Sequence, residues 1–179
     1  MRFLPALAAG SILLLSSAHA CFSPKPDPAP GPSQTGAGTA VCKQNGYDWV
    51  AAATYSAATG NLPAVEATWQ RGALRVVARR STGGGTTDAI ELLANAVRTT
   101  GTYPSNAGTS APLMQIAYVD GTNTVHATNG TNRGKLTITR LDTVARIVSG
   151  TFEATVITPA STTPAVVHSL KDGHFDVKF

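Results

Sequence analysis

The sequence predicts an all-β domain, a single antiparallel β-sandwich or partly closed barrel of about eight to ten strands behind a disordered Pro-rich stalk. Three observations carry that prediction. Apolar and polar residues alternate with period two through much of residues 134–179, the mark of strands with one face buried and one face wet. The dipeptides Asn45-Gly46, Arg71-Gly72 and Asp120-Gly121 fall between short apolar runs, where tight turns belong. Charged residues make up 13% of the chain, about half the usual share, while Ala, Thr and Gly abound. That composition suits a sheet protein surfaced with Thr rather than with ion pairs, and 179 residues are few enough for one domain.

Residues 1–20 have the plan of an export signal. Arg2 supplies the positive start, residues 3–15 the apolar run, and Ala18-His19-Ala20 the small residues that flank a cleavage point. The run is too short to span a bilayer permanently. Cys21 comes next, and a Cys directly after such a point resembles the lipobox of bacterial lipoproteins, in which the thiol receives a diacylglycerol. Ala18 stands where that box usually has Leu, and His19 is bulky. The other outcome is ordinary cleavage at the same bond, which leaves Cys21 to pair with Cys42. Residues 21–39 form the anchor and linker, with a proline at every second position from Pro24 to Pro32. Such a stretch favours extended polyproline II and acts as a semi-rigid spacer. A lipid-anchored domain needs one to clear the membrane surface. The expected address is the bacterial cell envelope, at the outer membrane, with the membrane itself as a partner through the lipid.

The domain is expected over residues 40–179. Around Asn45-Gly46, Gln44 pairs with Tyr47, Lys43 with Asp48 and Cys42 with Trp49, which puts Cys42, Tyr47 and Trp49 on the face to be buried. Residues 51–63 read as loop. A second hairpin, residues 65–70 and 73–80, sets Trp69 opposite Leu74 and Ala67 opposite Val76 as core. Glu66, Thr68, Arg75, Val77 and Arg79 fall on its other face. The arginines raise an anionic ligand, but Glu66 lies diagonal to them, so a solvated face with a local charge pair is expected. Residues 81–87, with three consecutive glycines, lack the spacing of a phosphate loop.

In residues 87–97, Asp88 and Glu91 match a capping box, yet Ile90, Leu92 and Ala94 alternate. Two helical turns alone would be marginal, so a strand is expected. Residues 101–103 open another extended piece, and residues 113–119 pair with 124–128 around Asp120-Gly121. A five-residue connection over 142–146 pairs Leu141 with Ile147, Leu136 with Phe152 and Ile138 with Gly150. A slip of one residue would turn every side chain to the wrong face. In the last strand Phe175, Val177 and Phe179 face a common core with Phe152. Asp172-Gly173 reads as a turn, and His174 with Asp176 as an exposed face.

The motifs C-x-x-N-G-x-x-W (residues 42–49), T-G-T-Y (100–103), G-K-L-T-I-T-R-L-D (134–142), S-G-T-F (149–152) and D-G-H-F-D-V-K-F (172–179) stand in that order behind the signal and stalk. The set resembles a family of bacterial envelope lipoproteins described only as a domain of unknown function, over roughly residues 36–179. The resemblance implies a small all-β extracytoplasmic domain and assigns no catalytic residue. It also implies further cysteines able to partner Cys42. This chain has none after Cys42, which leaves only Cys21 for such a bridge.

Chemistry is sparse. A zinc site needs three or four converging ligands, and His126, His168 and His174 are scattered, so surface or turn positions are expected and no metal or cofactor. Cys42 paired with a distant His would make a nucleophile, but its place opposite Trp49 favours a buried small hydrophobe. Asp172, His174 and Asp176 crowd one strand with no nucleophile beside them. The net charge of +4 says little about nucleic acid, and with no basic run interleaved with aromatics no nucleic-acid partner is expected. No catalytic residue is assigned and no enzyme is expected. Cys21 is the one assigned site, and the binding residues stay open. The function expected is a lipid-anchored, non-catalytic envelope module that binds a protein, glycan or small ligand. A structural or assembly subunit would show an open sheet edge or apolar patch, and an unrecognised hydrolase two close carboxylates. A pocket with convergent polar groups favours ligand binding.

Overall fold

Tight turns and period-two burial fold the chain into antiparallel strands. The computed structural model describes residues 33–56, 60–83, 85–105 and 114–179. The signal, Cys21 and the alternating prolines lie outside these residues. The described residues form thirteen strands and no helix. They are β1 (Thr39–Gln44), β2 (Tyr47–Val50), β3 (Thr54–Ser56), β4 (Gly60–Leu62), β5 (Val65–Gln70), β6 (Ala73–Gly83), β7 (Thr86–Ala94), β8 (Gly101–Pro104), β9 (Met114–Val119), β10 (Val125–Ala127), β11 (Gly134–Asp142), β12 (Ile147–Ile157) and β13 (Val167–Lys178).

Nine strands lie side by side in the order β2-β1-β13-β12-β10-β9-β7-β6-β5, with β11 and β8 branching from β12. Strands β3 and β4 make a separate ribbon. The large sheet folds back on itself without closing into a barrel, as a β-sandwich does. Its two halves meet across the core. Trp49 of β2 donates to Asp88 of β7 at 3.3 Å, and Trp69 of β5 lies 5.8 Å from Phe179, ring centre to ring centre. Trp49, Leu74, Val76, Ile90, Leu92, Ile116, Leu136, Val156, Leu170 and Phe175 fill the space between.

Both early hairpins form in the expected register. Asn45 and Gly46, and likewise Arg71 and Gly72, have positive φ at both turn positions. Residues 86–94 are strand, and the last strand lies inside the sheet between β12 and β1. Phe152, Phe175 and Val177 are buried, and Phe179 packs half-buried against them.

Five expectations are corrected. Tyr47 shares the face of Cys42 and Trp49 but is 80% exposed, because it projects past the edge of the core at the hairpin tip. Leu136 does face Phe152 and Ile138 Gly150, but a bulge at Thr139 shifts the pairs nearer the turn, so Leu141 meets Val148 and Asp142 meets Ile147. Asp172-Gly173 is no turn. It is an irregularity within β13, where Gly173 lies opposite Phe152 and Asp172 takes φ 52°. Asp176 is 1% exposed rather than on a wet face, since residues 33–37 fold over it. Residues 54–56 and 60–62 are strands within the stretch read as loop.

Candidate functional site

The ribbon β3–β4 lies beside β6 and covers one end of the outer face of β6, β7 and β9. Ala52 donates its backbone N–H to the Arg79 carbonyl, and the Arg79 N–H goes to Ala64, which ties the ribbon's flanks to the strand. Alternation along β6 sends Leu74, Val76 and Ala78 into the core and Arg75, Val77 and Arg79 to this outer face. Between ribbon and sheet runs a groove of about 710 Å³. Val77, Ala89 and Val119 form its floor, and Thr54, Tyr55 and Arg79 are among its walls.

Two facts set this groove apart. Thr54 Oγ1 and Arg79 Nη1 are buried without a hydrogen-bond partner, and among the described residues the only other such side-chain atom is His126 Nδ1. A buried donor with no acceptor costs about 1–3 kcal/mol, so two on one groove require an explanation. Tyr55 is 70% exposed at the rim. Arg79 is held by Glu66, 2.6 Å from its Nη2, and Arg75 by Glu91 at 2.5 Å. The stripe read as solvated is therefore partly covered: Val77 is buried, and the Arg79 side chain is 15% exposed. A second depression of about 500 Å³, between Gln70, Ala73, Asn95 and Gln115, contains none of the three unpartnered atoms.

The fold also gathers polar groups at one end of the core. Asp88 accepts from Trp49 Nε1, from Tyr118 Oη at 3.1 Å and from Arg80 at 2.7 Å. Tyr118 faces His168 with ring centres 5.0 Å apart, and His168 meets His126 edge-on at 4.5 Å. These two histidines were expected to be scattered at the surface. Strand pairing sets His126 opposite Tyr118 on β9, and His168 projects from β13 into the same corner, so sequence separation hid their contact. His126 is buried and donates Nε2–H to Asp120 at 3.2 Å. Burial, then the neighbouring His126, lowers the pKa of His168, with Asp120 opposing. Among the described residues no three His, Cys, Asp or Glu side chains are grouped to hold a metal ion.

Cys42 carries a free thiol in the core, and burial pushes its pKa up to about 12. A thiol so hard to ionise is a poor nucleophile. His174 is half-buried on β13, paired with Val41 of β1 and Thr151 of β12. Cys21 lies outside the described residues. The one sequence signal for the groove was the Arg75/Arg79 stripe; Thr54 and Tyr55 sat in a stretch with no strand pattern.

No family model, no curated protein and no solved structure matches the chain.

Proposed function

We propose that this chain is an exported, lipid-anchored module of the bacterial envelope, non-catalytic, whose outer-face groove binds a small polar ligand. The address rests on the small-residue cleavage point before Cys21 and on the proline-rich spacer after it. The binding reading rests on one observation: Thr54 and Arg79, each with a buried and unpartnered side-chain atom, line the same groove. A ligand toward which these two side chains turn, and which bonds to both atoms, removes the cost of leaving their hydrogen bonds unmade. The resemblance to envelope lipoproteins points to the same compartment. Assembly through an open sheet edge has less support, because two of the three edge strands, β2 and β8, are only four residues long, the third being β5 with six.

The test is native mass spectrometry of the full chain released from its membrane in mild detergent. Wild type is expected to carry a small-molecule adduct that the Thr54→Val/Tyr55→Ala variant lacks. Identical spectra from the two would contradict the proposal.

A further inference from the structure

We infer that the groove takes an uncharged carbohydrate, an inference that rests on the ligand-binding reading above and narrows it. The charges come first. The two cations on this face, Arg75 and Arg79, are already matched by Glu91 and Glu66, with contacts of 2.5 and 2.6 Å. A carboxylate or phosphate entering here gains attraction from the arginines and meets repulsion from the two glutamates, while losing its own water. The face holds no surplus positive charge to repay that loss. A neutral ligand escapes it.

The unmade bonds come second. Arg79 Nη1 can only donate, whereas the Thr54 hydroxyl can donate or accept. A sugar hydroxyl does both, so the hydroxyls of one carbohydrate can serve either kind of group. Thr86, Thr87 and Asn123 add further hydroxyl and amide groups at the walls. The shape comes third. Val77, Ala89 and Val119 make a shallow apolar floor, and Tyr55 offers an exposed flat ring with a polar tip. An apolar floor and an exposed aromatic ring, with hydroxyl and amide partners nearby, fit a pyranose, which has C–H faces and a polar edge. A groove of about 710 Å³ has room for a short oligosaccharide.

Isothermal titration of the full chain in detergent, with maltotriose, cellotriose and chitotriose as neutral probes and trigalacturonate and inorganic phosphate as charged ones, tests this. At least one neutral trisaccharide is expected to bind. Tyr55→Ala should weaken that binding by about tenfold and Thr54→Val by several-fold, both variants melting like wild type. Trigalacturonate or phosphate binding alone, weakened by the same substitutions, would overturn the neutral class and leave the groove reading standing. Binding indifferent to both substitutions would overturn both readings. If no probe binds, the carbohydrate inference fails, and the adduct in the native mass spectrum decides the groove separately.

Discussion

Gly150 and Gly173 explain why two short motifs belong together. A Cβ on Gly150 would lie 2.4 Å from the Thr137 carbonyl oxygen and 2.9 Å from the Phe175 ring, and one on Gly173 2.6 Å from the Phe152 carbonyl oxygen. Gly150 pairs with Phe175 and Gly173 with Phe152, so each motif's glycine makes room for the other's phenylalanine. Gly150→Ala or Gly173→Ala should each destabilise by about 1–3 kcal/mol or more, visible as a lowered denaturation midpoint. The motifs were legible in the sequence, but their reciprocity required the register across β12 and β13.

Titration at single residues has a definite sign. The pKa of His168 is lowered by burial and by His126, so as pH falls the unfolded chain takes up the proton first, near the ordinary value of 6.5. Stability should therefore fall as pH drops below that value. The groups facing His168 are His126, Tyr118, Asn45 and, one step away, Asp120. Urea melts at about pH 7.5 and about pH 5 should show a loss that His168→Gln reduces; equal losses in both proteins would refute it. Asp176 acts lower on the scale. Burial alone would raise its pKa, but the Ser149 and Ser33 hydroxyls and the Ala37 and Gly36 amides outweigh burial and hold it well below the usual carboxylate range. Its contribution is present above the unfolded value of 3.8 and is lost as pH falls through that value and below. Alternation told which face Asp176 occupies. It could not tell that residues 33–37 cover that face.

Among the elements, β13 matters most, because it lies between β12 and β1 and carries Leu170, Phe175 and Val177 into the core. Phe175→Ala should cost about 3–5 kcal/mol, whereas Tyr47→Ala at the exposed hairpin tip should change stability by less than about 0.5 kcal/mol. Denaturant melts of the two variants check this, and equal effects would make the last strand an appendage. Hairpins were the most legible elements, since Asn45-Gly46 and Arg71-Gly72 dictate both turn and register. Bulges were not. At Thr139 and at Lys171-Asp172 the apolar parity switches, from Leu136 and Ile138 to Leu141 and from Leu170 to Phe175 and Val177, but a single apolar residue on one side of the switch is too short a run to fix the register. The ribbon β3–β4 escaped for a related reason, its strands being three residues each with no apolar alternation.

For the molecule as a whole, the sequence speaks clearly of fold class and hardly at all of the site. Groove residues Thr54, Tyr55, Arg79, Thr86 and Asn123 come from separate stretches that only the folded sheet brings together. The proposed lipid anchor is tested by metabolic labelling with a radioactive fatty acid, which should mark wild type and not Cys21→Ser; equal labelling would remove the membrane from the account. The groove's occupancy is tested most directly by hydroxyl-radical footprinting of two tyrosines in one protein. Tyr55 at the groove and Tyr47 at the hairpin tip are 70% and 80% exposed in the bare chain. In native envelopes Tyr55 should be oxidised several-fold more slowly than in dialysed, purified protein, with Tyr47 unchanged. If Tyr55 reacts at the same rate in both, the groove is not a ligand site.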